Sequence, residues 1–341
     1  MSNPKPNPTN TMFILLRTSF LFLILALTAS AASEENISQQ LDATPGGKLV
    51  VDVDFGTINV TAGADDKVAV EAHRNVDFGN ELKEKEYLSA APITVTKDGN
   101  VITVRAHNSN KNWWNFGHSE KGQYTIHVPK KFETDLHTEG GDVVAAEIMG
   151  NLTAKTSGGK LAFSHLEGTL SANTSGGSID VADCLGPIKI ETSGGDIVVA
   201  DGTGTLDART SGGRIEVRNF TGDTEVRTSG GNLSLQSITG KVIGKTSGGS
   251  IQASIPDDIG GDVKLQTSAG NIDVSLSATA PVDIDARANV GKISSHLPFE
   301  TVDGDSEHLR GKLNGGGKSV KLETSAGNIT IQPSSSELAS R

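Results

Sequence analysis

The sequence predicts an all-β fold, a single-chain β-solenoid (β-helix) whose coils stack about 4.8 Å apart, and three observations predict it. The tetrapeptide TSGG recurs with its serine at Ser157, Ser175, Ser193, Ser211, Ser229 and Ser247, each 18 residues after the last, and Glu139 of TEGGD extends the series one step earlier. Seven residues before each of these serines stands a glycine: Gly150, Gly168, Gly186, Gly204, Gly222 or Gly240. Between the two corners apolar and polar residues alternate, which is the period of a strand. An unbroken repeat of this kind marks units that cannot bury their own apolar edges and therefore stack on one another.

The chain begins with residues 1–32, which read as a secretory signal peptide. Arg17 precedes an apolar run from Phe20 to Leu27, and Ala29-Ser30-Ala31 has the small-residue pattern of a cleavage site. The run is short for a membrane span, so none is expected to remain after cleavage, although a retained anchor is the alternative. Cleavage removes Lys5 and Arg17 but no acid, so the formal charge of -11 becomes about -13 in the mature chain. Such acidity disfavours nucleic acid and anionic lipid as partners. The expected location is extracytoplasmic: secreted, periplasmic or at the cell surface.

Residues 33–135 predict an N-terminal β-rich cap and a first coil. In GGKLVVDVDFGTINVTA, the residues Gly47, Leu49, Val51, Val53, Gly56, Ile58 and Val60 follow the solenoid phase if Asp54 takes the serine's place. The strands KVAVEAH, PITVTKDG, NVITVRAH and QYTIHVP follow, and the charged NELKEKEYLSA predicts a short helix. A solenoid needs such a cap because an open terminal coil is an unpaired edge.

Residues 136–332 carry the solenoid repeats. Five residues before the serine come Leu152, Leu170, Ile188, Leu206, Thr224 and Val242, and four after it come Leu161, Ile179, Ile197, Ile215, Leu233 and Ile251. With Phe163, Val181, Val199, Val217 and Leu235, six after it, these columns form the core. Lys155, Glu191, Arg209, Arg227 and Lys245 belong in water. The paired glycines are expected to turn sharply without a side chain clashing against the coils above and below, and to do so through positive φ, and the stacked threonines, Thr156 to Thr246, to hydrogen-bond along the axis like cross-strand pairs. Towards the C-terminus the turns at Ser268 and Ser325 are wider spaced, with DARANVGKIS as a degenerate coil and SIPDDIGG as a corner insertion. Residues 333–341 read as a disordered tail.

The opening GGKLVVDVDFGTINVTAG, the entry IHVPKKFETDLHTEGGDV and the chain of SGG and SAG turns together resemble the bacterial putative-adhesin family of β-strand-repeat (SGG-turn) proteins, a domain of unknown function. The resemblance covers roughly residues 45–332. It implies a β-solenoid outside the cytoplasm and supplies no catalytic residues.

The residues themselves propose no catalytic group, metal ligand or cofactor. One cysteine and histidines without metal-site spacing leave no ligand cluster, the serines are explained by turns, and no helix follows the glycine-rich turns to cradle phosphate. The expected function is an extracytoplasmic adhesin-like binding or scaffold module, non-catalytic, that presents a rigid surface to an envelope or cell-surface component such as a glycan. Two alternatives stand beside it. One is a polysaccharide-active β-helix enzyme working from Asp180, Asp183, Asp201, Glu216, Arg214 and Arg218, where Asp183 and Asp201 share a phase and repel unless a cation lies between them. The other is a structural or sensory partner in the cell envelope. The candidate ligand-binding residues are Trp113, Trp114 and Phe116 in NKNWWNFGHSEKGQY, because adjacent tryptophans on a strand face opposite sides and one of them must lie near the surface. Cys184 shares its phase with Leu166, Phe220 and Ile238 and is expected to be a small core residue.

Overall fold

A computed structural model describes residues 34–107 and 119–334. The leader, the tail beyond residue 334, and Trp113, Trp114 and Phe116 lie outside the described residues. Each repeat lays down two short strands, such as Leu170–Thr174 and Ile179–Ala182, which join two different parallel sheets. In the first sheet Leu152, Leu170, Ile188, Leu206, Thr224 and Val242 pair in register. In the second, Leu161, Ile179, Ile197, Ile215, Leu233 and Ile251 do so. No member of either column is more than 5% exposed. Lys155, Glu191 and Arg209 are exposed and Arg227 and Lys245 half-buried, as the alternation requires.

Of the two reasons expected for the paired glycines, close approach of the coils holds and positive φ does not. The glycines that open each first strand, Gly150 to Gly240, do have positive φ, between +128° and +158°. From Ser157 to Ser247 neither glycine of the TSGG turn lies in the left-handed region. The second is needed for close approach: a Cβ on Gly159, Gly177 or Gly195 would fall 1.8 to 2.0 Å from the carbonyl oxygen of the equivalent glycine one coil earlier. The first has room, since a Cβ on Gly176, Gly194 or Gly212 would meet nothing nearer than 3.6 Å. The chain makes the same distinction. Ala269, Val290 and Ala326 occupy the first position in other coils, whereas the second is still Gly270, Gly291 and Gly327.

The buried threonines also bond differently from the expectation, to glycine backbone rather than to one another. Thr192 Oγ1 donates to Gly177 O of the preceding coil at 2.8 Å and accepts from Gly195 N at 3.3 Å. The same two bonds recur at Thr156, Thr174, Thr210, Thr228 and Thr246. Each hydroxyl thus satisfies a carbonyl and an amide that the sharp corner takes out of the regular ladder.

Spatial order departs from chain order at both ends. Gly47–Phe55 lies between Val101–Ala106 and Phe132–Gly140, and Lys318–Ala326 lies between Gly260–Ala269 and Val282–Val290. The degenerate coil therefore sits outside the Ser325 coil and not between Ser268 and Ser325. Antiparallel strands finish both sheets at one end, Glu34–Asp42 and Thr94–Asp98, and the first sheet at the other, His308–Leu313 and Glu300–Gly304, where the second sheet ends on the parallel Ile293–Ser295. The corner insertion shifts the register between Gly240 and Val242. In the cap the charged segment forms a helix, Glu81–Ala90, whose start is held by Asn80 Oδ1 accepting from Lys83 N at 3.1 Å and by Glu84 accepting from Phe78 N at 2.8 Å. Arg74, 1% exposed, donates to Glu35 at 2.6 Å and to the Ala91 carbonyl, tying the helix to the edge strand.

Two predictions follow from the packing. Gly195→Ala is expected to destabilise the protein by about 2 to 4 kcal/mol, and Gly194→Ala in the same turn to stay within about 0.5 kcal/mol of the parent; equal shifts in thermal midpoint would contradict the close-approach account. Cys184 is 2% exposed, its thiol donates to Ala182 O at 3.3 Å, and burial pushes its pKa up. A thiol reagent is therefore expected to label the native protein only as fast as it opens, and labelling at the rate of a free thiol would refute the core assignment.

Candidate functional site

The end of each first strand places three side chains together. The last outward residue stands two before the serine, the threonine turns inward, and the serine returns to the surface. Because successive coils are in register, these positions build columns at the coil spacing, about 4.8 Å. Between them runs a groove of about 780 Å³ that extends from Glu191 across successive coils to Arg287 and Glu323. Its walls hold only Ser, Thr, Asn, Gln, Glu, Arg and Lys side chains.

The outer column pairs Glu191 with Arg209, Arg209 with Arg227, Arg227 with Lys245, and Lys245 with Gln266. Three cations are therefore consecutive, and like charges directly opposite destabilise a sheet. Two of them are tied to acids two residues earlier on their own strands. Arg209 donates to both oxygens of Asp207 at 2.8 and 2.9 Å, and Arg227 Nε donates to Glu225 at 2.6 Å. Lys245 has Ile243 at the corresponding place and, among the described residues, no carboxylate within ion-pair distance. Beyond Gln266 the column turns acidic again at Glu323, whose carboxyl is held below its ordinary pKa, first by the hydrogen bond from Lys321. Beside the cations, Ser211, Ser229 and Ser247 are exposed. Among the described residues their hydroxyls take part in no hydrogen bond.

The acidic edge considered for an enzyme resolves into corner residues and local pairs. Glu147, His165, Asp183, Asp201, Asn219 and Ser237 form an 18-residue column with φ between +52° and +63°. Asp and Asn tolerate this left-handed conformation best after glycine. Asp201 accepts from Asn219 Nδ2 at 2.9 Å, Asp183 lies 3.6 Å from His165, and Lys160 reaches Asp180 at 2.5 Å. Arg214 and Arg218 are engaged by Asp196 and Glu216. Among the described residues no group of three or more His, Cys, Asp or Glu is placed to hold a metal ion. Trp113, Trp114 and Phe116 lie outside the described residues.

A capped β-solenoid with a groove lined by polar residues along its TSGG corner defines a β-strand-repeat protein. The chain belongs to the Toastrack DUF4097 family, whose model matches residues 47–332. No curated protein matches it. Among solved structures it is similar to a putative adhesin from Bacteroides fragilis, at 16% identity over 89% of this chain and 99% of that one, with a TM-score of 0.28. A putative adhesin from Parabacteroides merdae is similar at 13% identity over 88% and 96%, with a TM-score of 0.35. A putative lipid binding protein from Parabacteroides distasonis is similar at 12% identity over 89% and 97%, with a TM-score of 0.31.

His107 is the last described residue before the tryptophan segment. Its Nε2 lies 2.9 Å from Asp52 and its Nδ1 2.6 Å from Asp54. Burial alone would lower its pKa, but the hydrogen bonds and charges of the two carboxylates outweigh burial and raise it above 6.5. The pair therefore contributes its full stability below the unfolded value and loses it as pH rises through the folded value. His107→Gln is expected to lower the thermal midpoint at about pH 5.5 and to leave it nearly unchanged at about pH 9. An equal loss at both pH values would show that the imidazolium is not what the aspartates hold.

Proposed function

We propose that the protein is an extracytoplasmic, adhesin-like binding module, non-catalytic, that holds an envelope or cell-surface component along the TSGG edge of its solenoid. The observation that carries this reading is the continuous groove of about 780 Å³ lined only by polar and charged residues. A rigid row of identical corners offers the same contacts repeatedly along one line, which suits recognition of an extended partner at low cost in ordering. The signal-like leader supports a location outside the cytoplasm, and no helix among the described residues is long and apolar enough to cross a membrane. The acids of the alternative enzyme reading are taken up by corners and local pairs.

An array of glycans and envelope components probed with the purified protein is expected to reveal one bound class. Ser229→Trp and Ser247→Trp, both at exposed positions, are expected to weaken that binding by about ten-fold or more while leaving the thermal midpoint in place. Binding indifferent to both substitutions, or an array without any bound component, would overturn the proposal.

A further inference from the structure

We infer that the groove's ligand is a linear acidic glycan that lies parallel to the solenoid axis, its anionic groups against Arg227 and Lys245 and its hydroxyls along the serine row. This inference rests on the groove being the binding site. The walls are lined only by polar and charged residues and offer no Leu, Ile, Val or aromatic side chain as a seat for a lipid tail or an apolar peptide anchor. Their repetition at the coil spacing asks for a ligand that itself repeats and stays extended. The unpaired hydroxyls of Ser211, Ser229 and Ser247 can each donate and accept, as a polyol requires.

The charge pattern narrows the class further. Lys245 stacks on Arg227 without an acid of its own, so an anion between them would relieve repulsion and gain charge-assisted hydrogen bonds. The cationic strip is bounded by Glu191 in register with Arg209, and by Glu323 beyond Gln266. The surrounding protein is acidic, with a formal charge of -11, and repels a dense polyanion such as nucleic acid. The fit is to a chain of sugars whose carboxylates or sulfates are separated, each meeting the strip singly.

Calorimetric titration of the full protein with oligogalacturonate, kappa-carrageenan oligosaccharides (a single sulfate on each disaccharide), neutral dextran and poly-L-glutamate tests this. Binding of an acidic glycan is expected, weakening as salt rises, with the tighter of the two acidic probes distinguishing carboxylate from sulfate. Lys245→Glu is expected to weaken binding by about ten-fold or more and Glu191→Lys, which lengthens the cationic strip, to strengthen it. Both side chains face outward, and a gain of affinity cannot arise from loss of the fold. Neutral dextran bound as tightly as the acidic glycans, poly-L-glutamate bound as tightly as oligogalacturonate, or acidic binding unmoved by either variant would each overturn the inference. So would failure of all four probes to bind. If Ser229→Trp abolishes binding of a neutral component found on the array, the groove reading survives and only the acidic class falls; if it leaves every interaction intact, the groove reading falls with it.

Discussion

The close approach of one backbone to another at the TSGG corner is the constraint on which the solenoid depends. The second glycine of each turn lies against the carbonyl of its counterpart one coil earlier, at a separation that a single methyl group would close. That contact lets the threonine reach the same carbonyl and bind it while receiving the glycine amide of its own coil. In the regular coils, from Thr156 to Thr246, one glycine and one hydroxyl thus set the height of each coil on the last. Once that height is set, in-register pairing of Leu, Ile and Val columns follows, and a slip of one residue would turn the apolar side chains of a sheet buried on its inner face into water. The isolated unit has neither a core nor a satisfied corner, so the hydrophobic and hydrogen-bonding requirements are met by the same act of stacking.

A stack built this way has an edge problem at each end, because every coil is a template for another. The chain meets it by placing its first and last regular coils one step inside the stack. Gly47–Phe55 is covered by Val101–Ala106 and Lys318–Ala326 by Val282–Val290. The outermost coils are those whose sequences depart from the template, and antiparallel strands then complete both sheets at the N-terminal end and one of the two at the other. An antiparallel terminal strand no longer presents the corner that a further parallel coil would need. The interleaving also joins distant parts of the chain: a coil begun near residue 47 closes only after residues 101 to 140 have flanked it.

The columns of the core were legible because the 18-residue period is unbroken from Glu139 to Ser247, and position within a period determines which face a side chain takes. The same phase placed Asp54 at the serine position of the first coil, and the structure pairs Val53 with Thr138 and Phe55 with Gly140 in agreement with it. What a period does not reveal is why a residue recurs. Two adjacent glycines look alike in a repeat, and only the substitutions Ala269, Val290 and Ala326 hint that one of them is dispensable. Of the left-handed corner column only Asp183 and Asp201 were read in one phase, and two stacked acids invited a chemical reading of what is a conformational preference. The order of coils at the ends was hidden, since parallel pairing between near-identical templates carries no label for which neighbour comes next. The groove was hidden for a related reason. Its outer wall was read only as solvated charge, and the serines as turn formers.

Those serines separate structure from function within a single corner. Threonine and the second glycine are committed to the backbone, and the residues five before and four after the serine are committed to the core. The serine itself is exposed, and the chain replaces it with Glu139 and Asn289 without altering the stack. The outer column is freer still: Lys155, Asn173, Glu191, Arg209, Arg227, Lys245 and Gln266 succeed one another on identical strands. Because each outward side chain meets mainly its neighbours above and below, changing one alters the local charge without disturbing a shared core, and such sites behave nearly independently unless they touch. A solenoid of this design can therefore vary the character of its groove coil by coil. The run of three cations within a protein of net negative charge is a local feature of that kind, maintained by side chains that the fold does not need.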